Sequence, residues 1–479
     1  MVRVLSDTGL GAIFNSRRRP QDNAQAISNK RKNRVIDKSS LGQEQLKVFD
    51  LMEGTGRSMF ITGRAGTGKS YLLNFFVANS NKNVVVVAPT GVAAINVGGQ
   101  TIHSFFNIPP KTPLQKDDLK PSPRLRDLCR ALDVVVIDEV SMVRSDIMHA
   151  IDYILRVSNG NNIPFGGKQM LMFGDLYQLP PVAQPQVRRY LDDTYGGVFF
   201  FNAPAIKRCD LGIHELTHVF RQKDPVFIDI LNEVREGMLT QENLDLLNHR
   251  ADIPAPSDDD AEGGLAVVIA PTRDAVERTN ESKLNAIDDQ PMYTYEAHVE
   301  GDFRETDFPT QRVLRLKVGA RVMMLKNDIG TSSDRPEEKG RWVNGTLAQI
   351  SRLSKDSIWV MINGVSHQIN RETWFKHQYS YDATTKKLDR RITARFTQFP
   401  VTLAWAITVH KAQGATYQSV GVDLDKGMFA EGQTYVALSR CVDMNKLYLT
   451  RPIDERDILT SNEVKAFMGD RLSDAPLPW

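Results

Sequence analysis

Residues 58–79 read SMFITGRAGTGKSYLLNFFVAN, and this stretch decides the fold. An apolar run is followed by a loop rich in glycine and then by an apolar helical pattern. This order is typical of a phosphate-binding loop between a strand and a helix. Its glycines let successive backbone N–H groups point at phosphate oxygens, and the helix N-terminus adds positive potential. In such loops the lysine reaches the β and γ phosphates and the following hydroxyl is a ligand of Mg²⁺. The predicted nucleotide-binding residues are Gly63, Gly66, Thr67, Gly68, Lys69 and Ser70.

A second motif, which contains two acidic residues, follows the loop by some 70 residues in the stretch VVVIDEVSM at 134–142. Four apolar residues predict a buried strand, and Asp138 emerges at its carboxyl end, where α/β sheets bind ligands. We expect Asp138 to hold Mg²⁺ through water and Glu139 to polarise the attacking water. A strand that ends in two acids is common by itself. After a phosphate-binding loop, the pair favours hydrolysis of a nucleotide over simple binding.

The regions around these motifs predict an α/β fold with two lobes. Short apolar runs that alternate with helical patterns fit strands buried on both faces of a parallel sheet. They are SMFIT (58–62), NVVVVAP (83–89), LDVVVIDE (132–139), QMLMFGD (169–175), AVVIAPT (266–272), SVGVDL (419–424) and KLYLT (446–450). Residues 341–399 differ, since they read as short alternating strands with Asn-Gly and Lys-Asp turns, which indicates a small β-barrel-like insertion. We predict a first lobe at 39–212 and a second lobe at 213–340 and 400–479, interrupted by this insertion.

Composition excludes several other classes of protein. Of 479 residues, 41% are apolar and 25% are charged, which argues against a disordered, fibrous or membrane-embedded chain. The three cysteines are scattered and support neither a disulfide framework nor a zinc site, so a reducing, intracellular location is expected. Residues 1–38 carry nine basic and three acidic residues, and we interpret them as a flexible basic tail that contacts phosphate, serves as a targeting signal or is simply solvated.

Two arginines are candidates to meet the charge of the γ-phosphate from outside the first lobe. Arg221 lies in LTHVFRQ and Arg440 in YVALSRC, both in the region assigned to the second lobe. An arginine that arrives when two lobes close stabilises the transition state and couples closure to the nucleotide. On pattern alone, each is equally well explained as a partner in a surface salt bridge.

The ordered motifs together resemble the Pif1 family of superfamily 1 DNA helicases, over roughly residues 39–450. They are LGQEQ (41–45), the phosphate-binding loop, APTGVAAINVGGQTIHSFF (88–106), VVIDEVSM (135–142), PFGGKQMLMFGDLYQLPPV (164–182), LTHVFRQ (216–222), AWAITVHKAQGATY (404–417) and GQTYVALSRC (432–441). The resemblance implies two RecA-like lobes with ATP between them and single-stranded DNA across both. It also implies a small wedge insertion at about 107–123, an SH3-like insertion at 341–399, and translocation from 5′ to 3′.

The resemblance also implies roles for single residues. Gln45 would read the adenine, Gln178 would sense the γ-phosphate, Arg221 and Arg440 would be the arginine fingers, and Gly414 would lie near the nucleotide. The residues that match motifs lining the strand path are Thr90, His103, Phe105, Thr408, His410 and Lys411. Hydroxyls and lysine suit phosphates, and aromatic rings suit base stacking. His103 and His410 are also explained as structural histidines, and of the adjacent Phe105 and Phe106 we expect one in the core and one facing the strand.

The sequence and the resemblance together lead to the hypothesis of an ATP-dependent DNA helicase that uses ATP and Mg²⁺ and acts in replication, repair or recombination. Its expected partners are single-stranded DNA, forked or G-rich folded DNA, and a single-strand binding protein or replication factors, with a monomer in solution and no membrane. The expected location is bacterial or phage cytoplasm, since no long N-terminal domain precedes the motifs, or nucleus or mitochondrion in a eukaryote. Three alternatives stay open: a remodeller that unwinds plain duplex poorly, a strand-binding module with a switch ATPase, and RNA as the tracked strand.

Overall fold

The computed structural model describes residues 38–109, 114, 118–254, 265–303, 305–326, 328, 341–342, 344–382 and 387–473. The chain divides into a segment, Met1–Gly42, in which residues 39 and 40 form a turn, and one compact unit, Gln43–Trp479. The predicted basic tail lies outside the described residues apart from Lys38, and the predicted wedge lies only partly within them. Across the described ranges, no helix is long and apolar enough to cross a membrane.

The first lobe is a six-stranded parallel sheet with helices packed on it. In spatial order its strands are Gln100–Thr101 (β3), Val84–Ala88 (β2), Val134–Ile137 (β4), Gln169–Phe173 (β5), Ser58–Gly63 (β1) and Leu211–Leu216 (β6). The carboxyl end of β1 carries the phosphate-binding loop. Runs such as Val84–Ala88 are buried almost throughout, as expected for strands covered on both faces. Its elements are α1 Gln43–Gly54, β1 Ser58–Gly63, α2 Lys69–Asn79, β2 Val84–Ala88, α3 Gly91–Asn96, β3 Gln100–Thr101, α4 Ile102–Phe106, α5 Pro123–Ala131, β4 Val134–Ile137, α6 Ser145–Asn159, β5 Gln169–Phe173, α7 Pro185–Tyr195, α8 Pro204–Arg208 and β6 Leu211–Leu216.

Except for its last helix, the rest of the chain forms the second lobe, whose α/β pattern is interrupted by β strands. That helix, Asn462–Ser473, was predicted to belong to the second lobe but packs Val464 and Met468 into the core of the first lobe. In chain order the elements are α9 Pro225–Glu236, α10 Gln241–Asn248, β7 Ala266–Ala270, α11 Arg273–Asn285, β8 Tyr293–Glu296, β9 His298–Gly301, β10 Val313–Leu316, β11 Arg321–Met324, β12 Leu347–Leu353, β13 Ile358–Ile362, β14 Val365–Ile369, β15 Glu372–Asp382, β16 Lys387–Gln398, β17 Val401–Leu403, β18 Ala406–Thr408, α12 Val409–Ala412, β19 Ser419–Val422, α13 Gln433–Leu438, β20 Leu447–Leu449 and α14 Asn462–Ser473. Single 3-10 turns lie at Val140–Met142, Pro164–Gly167, Phe200–Asn202, His249–Ala251, Glu305–Asp307, Met444–Lys446 and Glu455–Asp457.

The second lobe has its own four-stranded parallel sheet, in the order β18-β7-β19-β20. Its core joins the sheet to α9 and α13 through residues such as Phe227, Val420 and Leu438. The predicted α/β class with two lobes is therefore confirmed. All seven apolar runs from which strands were predicted form strands. Six strands are shorter than their run, because the flanking polar and proline residues belong to the turns, whereas β1 extends one residue beyond its run, to Gly63.

The inserted β structure is larger than the predicted 341–399. Strands β8 to β17 form a two-stranded, a five-stranded and a three-stranded sheet that together span Tyr293–Leu403. The five-stranded sheet, β14-β13-β12-β11-β17, uses Arg321–Met324 and Val401–Leu403 from outside the predicted bounds. The predicted end of the first lobe at 212 falls inside β6, whose residues Leu211–Leu216 pair with Ser58–Gly63. Sequence alternation marks strands but does not show which sheet an edge strand joins.

Candidate nucleotide and nucleic-acid site

The phosphate-binding loop has the backbone that its glycines predict. Gly66 and Gly68 have φ of 83° and 80°, in the left-handed region where L side chains are strained. Close packing adds to this requirement, because a Cβ on Gly66 would lie 2.6 Å from the Cβ of Arg221. A Cβ on Gly63 would collide with the carbonyl oxygen of Leu216. Only glycine fits at these positions.

Lys69 begins helix α2 and folds back onto the loop. Its Nζ donates to the carbonyl oxygens of Gly63 at 2.6 Å and of Arg64 at 3.0 Å, and the Thr67 hydroxyl also donates to Arg64 O, at 2.9 Å. Burial lowers the pKa of the Lys69 ammonium, and the carboxylates of Asp175 and Glu139 act in the opposite direction. Ser70 is exposed in the first turn of the helix. The ammonium is therefore held on the loop by two carbonyl oxygens, near the carboxylates of Asp175 and Glu139.

Asp138 and Glu139 stand at the carboxyl end of β4, as predicted. Burial, and then the neighbouring Glu139, raises the pKa of Asp138 to about 7. Burial likewise raises the pKa of Glu139, against the opposing effect of Lys69 and Arg440. Two adjacent carboxyls that ionise reluctantly in a buried place are a donor set suited to a divalent cation, which would restore their charge. Glu139 has φ of 51°, a left-handed backbone that aims its side chain into the cleft between the lobes.

Arg221 and Arg440 both reach this cleft and are largely buried. Arg440 is 1% exposed; its Nε donates to Val436 O at 2.9 Å and its Nη2 to the Ser439 hydroxyl at 2.7 Å. Arg221 lies in the connection between β6 and α9, and its Nη1 donates to Ser439 O at 2.9 Å. Burial, and then the neighbouring Arg440, lowers the pKa of Arg221 to about 9. Two adjacent, poorly solvated guanidiniums form a receptor for a strongly charged anion.

Sequence reasoning missed a buried ionic network next to Gln178. The Gln178 side chain donates to Asp175 Oδ2 at 3.2 Å, and Asp175 Oδ1 accepts from Arg235 Nη2 at 3.1 Å. The Arg235 guanidinium also stacks on the Tyr177 ring, 4.2 Å from its centroid. Asp175 lies in the conspicuous sequence GDLYQLPPV, but nothing in that sequence points to Arg235, which is 60 residues away on α9.

Gln45 lies against the loop, where its Nε2 donates to Gly68 O at 3.3 Å. Phe220, which sequence reasoning passed over, stands beside it with 54% of its surface exposed. A Cβ on Gly68 would lie 3.7 Å from the Phe220 ring, and the His218 ring meets that ring edge-on at 4.5 Å. An exposed phenylalanine next to a polar amide forms a place for a flat aromatic base. The sequence could have pointed to Phe220, because it directly precedes Arg221, a predicted site residue.

The predicted strand-binding threonines have a structural role that both lobes repeat. Thr90 caps α3, where its hydroxyl accepts from the N–H of Ala93 at 3.2 Å, and Thr408 caps α12, where it accepts from Lys411 N at 3.2 Å. His410 and Lys411 are exposed on α12. Partial desolvation, and then the guanidinium of Arg273, lowers the pKa of both. Arg273, which the sequence pattern did not single out, thus joins Lys411 in a cationic surface on the second lobe beside the His410 imidazole.

The predicted aromatic pair differs from expectation. Phe105 and Phe106 are 5% and 1% exposed, and their rings contact each other edge-on at 4.8 Å within the core of the first lobe. Both rings pack in the core, so the expectation that one of them faces the strand is wrong here. The reason is that α4, five residues long, is sunk into the lobe with Ile102 also buried. His103 is half-buried on the same short helix.

Two contacts cross from the second lobe to the catalytic loops. The Tyr435 hydroxyl accepts from the backbone N–H of Ala65 at 2.9 Å, and Gln413 Nε2 donates to Glu139 Oε2 at 2.8 Å. Gly414, expected near the nucleotide, follows Gln413 with φ of 78° and has no atom within 4 Å of its Cβ position. The structure therefore brings most of the predicted nucleotide residues into one cleft, while the predicted strand residues lie on both lobes.

Comparison with known proteins finds that this chain is similar to PIF1-like helicases. The family model described as PIF1-like helicase matches residues 40–245. The ATP-dependent DNA helicase Pif1 of Bdellovibrio bacteriovorus is 30% identical over 425 residues, which cover 86% of this chain and 88% of that protein. The chain spans less of the ATP-dependent DNA helicases PIF1 of Emericella nidulans, mouse and human, 60 to 62% of their length.

Solved structures agree with these relatives. The Pif1 of Bacteroides sp. in complex with ADP-AlF4 is 37% identical with a TM-score of 0.81, over 91% of this chain and 98% of that one. The Bacteroides Pif1 bound to single-stranded DNA is also 37% identical, over 91% of this chain and 97% of that one, with a TM-score of 0.64. The arrangement described above is thus more similar to the first structure than to the second.

Proposed function

The chain belongs to the PIF1-like helicase family, and on that premise we propose that it is an ATP-driven DNA helicase that moves 5′ to 3′ along a single strand. The observation that carries the proposal is the cleft itself. Lys69, Asp138 and Glu139 of the first lobe face Arg440 of the second, and Arg221 lies between the lobes. A site divided in this way is completed by lobe closure, so nucleotide chemistry and movement are coupled.

The residues of the cleft divide the chemistry among them. The Lys69 ammonium leaves the carbonyls of Gly63 and Arg64 to hold the β and γ phosphates of ATP, and Glu139 orients the attacking water. Arg221 and Arg440 neutralise charge that develops on the γ-phosphate. Gln178, held by Asp175, lies where it senses that charge. The adenine ring stacks on Phe220 and is read by Gln45.

Ser70 and Asp138 would hold Mg²⁺, which supplies charge neutralisation on the phosphates when bound. The buried Asp138 carboxyl, with its pKa raised to about 7, fits a site that gains its ionised form along with a cation. The exposed hydroxyl of Ser70, next to Lys69, would be a ligand of the cation, and Asp138 would hold it through water.

The strand path follows the threonine-capped helices of both lobes. Thr90 on the first lobe, and Thr408, His410 and Lys411 on the second, offer hydroxyl, imidazole and ammonium groups to phosphates. Alternating grip by the two lobes converts closure into steps along the strand. Opening one base-pair step costs about 1.4 kcal/mol on average, so single steps are small loads for such a motor. Forked and G-rich folded DNA are the proposed duplex substrates, in replication, repair or recombination.

The test is ATP hydrolysis with and without oligo-dT, for the wild type and for Lys69→Ala. We expect strong stimulation by the strand in the wild type and loss of hydrolysis in the variant. Lys47→Ala, an exposed lysine on α1, is the matched control and should behave as the wild type. Robust hydrolysis that no nucleic acid changes would contradict the proposal.

Three further assays separate the alternatives. Displacement of a block at the 3′ end of a single strand, but not at its 5′ end, is expected from a 5′ to 3′ motor. A strand-binding switch would bind the same strand without displacing the block. Unwinding of a forked duplex is then compared with unfolding of G-rich DNA, which distinguishes an unwinding enzyme from a remodeller. Stimulation of hydrolysis by an RNA strand in place of oligo-dT tests which nucleic acid the protein follows.

A further inference from the structure

One side-chain contact joins the second lobe to the catalytic base. Gln413 Nε2 donates to Glu139 Oε2 at 2.8 Å, across 274 residues of chain. Glu139 has a left-handed backbone, φ 51°, directly after the end of β4. With one carboxylate oxygen bound to an amide from the other lobe, the orientation of the carboxylate depends on where that lobe lies.

Gln413 stands at the end of a very short helix whose other residues have distinct surroundings. Helix α12, Val409–Ala412, is a single turn capped by Thr408. Val409 and Ala412 are fully buried in the core of the second lobe. His410 and Lys411, between them, are exposed beside Arg273 and form the proposed contact to the strand. When the strand shifts His410 and Lys411, Gln413 therefore moves with them, because a single helical turn moves as one rigid unit.

The backbone around Gln413 directs its side chain out of the lobe. The residue leaves the helix with φ −58° and ψ 136°, an extended conformation that turns the chain away from the helix axis. The next residue, Gly414, has φ of 78°. The Gln413 amide lies in the cleft, where it contacts Glu139, and the chain then continues to Tyr417, which forms a β-bridge with Cys441 in the second lobe.

We propose that Gln413 is a positioning residue that couples strand contact at His410 and Lys411 to the orientation of Glu139. The inference rests on the proposed function, because it explains how a strand stimulates hydrolysis. Strand binding on α12 sets the position of the Gln413 amide, and the amide sets the carboxylate that orients the attacking water. The proposed contacts with the phosphates of ATP lie on Lys69 and the two arginines, and those with the strand lie on residues such as His410 and Lys411. Gln413 therefore governs turnover rather than affinity for either.

The experiment compares Gln413→Met, which keeps the shape and removes the donor, with Gln413→Lys, which restores a donor. Turnover and the KM for ATP are measured with saturating oligo-dT and without it, together with the Kd for oligo-dT. Gln418→Met, an exposed glutamine in the same connection, is the matched control. Displacing a catalytic group by about 1 Å costs up to roughly 100-fold, so we expect Gln413→Met to lower strand-stimulated turnover about 10- to 100-fold.

In the same variant, the KM for ATP and the Kd for oligo-dT should stay within about twofold of the wild type, and Gln413→Lys should recover part of the stimulation. A contact that merely held the lobes together would change KM and Kd along with turnover, and lysine would not restore it. That result, or unchanged stimulation in Gln413→Met, overturns the inference. Failure of the proposed function looks different, since the wild type itself would then show no stimulation.

Discussion

The hydroxyl of Tyr435 accepts a hydrogen bond at 2.9 Å from the backbone N–H of Ala65, so the second lobe directly contacts the phosphate-binding loop. The two residues are 370 positions apart, and Ala65, from the first lobe, is buried with Tyr435 in the apolar cluster that forms the core of the second lobe. A loop whose N–H groups bind phosphate is thus partly shaped by the other lobe. Changes at Tyr435 should therefore affect both the stability of the molecule and its use of nucleotide.

Removing only the hydroxyl, by Tyr435→Phe, leaves the Ala65 N–H buried without its acceptor. An orphaned buried donor costs about 1–3 kcal/mol, so we expect a lower thermal midpoint. Differential scanning calorimetry measures the change, with Tyr71→Phe as an exposed control on α2. A midpoint equal to that of the wild type would show that water replaces the tyrosine at no cost.

Phe220→Ala removes the exposed ring beside Gln45. Base–aromatic stacking contributes about 1–3 kcal/mol, so the KM for ATP should rise about 5- to 100-fold while turnover at saturation changes little. Steady-state kinetics with oligo-dT present measures both quantities. Phe429→Ala, another exposed phenylalanine, should leave the KM unchanged. If both variants keep the wild-type KM, the adenine lies elsewhere.

Asp175→Asn breaks the buried pair with Arg235. Removing one partner of a buried ion pair costs about 3–5 kcal/mol because the other charge is left uncompensated. We expect a large fall in thermal midpoint at neutral pH. Arg235→Met with Asp175→Asn in one chain should be less harmful than Asp175→Asn alone, since the buried guanidinium is then absent and its other partner, Glu215, keeps 23% of its side chain exposed to water.

The same pair predicts a pH dependence with a definite sign. Burial opposes ionisation of Asp175, but Arg235 and then Lys69 outweigh it and hold the pKa of this carboxyl below its ordinary value. A lowered folded pKa stabilises the protein above the unfolded value of about 3.9, and this stabilisation disappears as the pH falls through the folded pKa. The difference in thermal midpoint between wild type and Asp175→Asn should therefore be constant near neutral pH and shrink below about pH 4. A difference that grows on acidification would contradict this.

Phe105→Leu separates core packing from base stacking. Phe105 is 5% exposed and its ring packs against that of Phe106. We therefore expect the variant to have a lower thermal midpoint but an affinity for oligo-dT within about twofold of the wild type. Fluorescence anisotropy with labelled oligo-dT measures the affinity. Lys411→Ala is the positive control, because it removes a proposed phosphate contact. A loss of affinity in Phe105→Leu as large as in Lys411→Ala would restore the stacking role that the sequence suggested.

Short-range patterns were enough to predict much of this protein. The loop from Gly63 to Ser70, the acidic pair at 138 and 139, and the apolar runs of both parallel sheets are encoded by neighbouring residues. Each depends on local backbone preference and on burial of a continuous strand, which sequence spacing shows directly. The sequence by itself therefore determined the class of fold and the chemistry of the phosphate end of the site.

Tertiary structure alone decided what surrounds that chemistry. It assigned Leu211–Leu216 to the first sheet, buried both Phe105 and Phe106, paired Asp175 with Arg235, and brought Gln413 to Glu139 and Tyr435 to Ala65. The three side-chain contacts in this list join residues that are 60 to 370 positions apart. Their partners are selected by how lobes and edges pack, because side-chain pairing across a cleft leaves no periodic trace in the sequence.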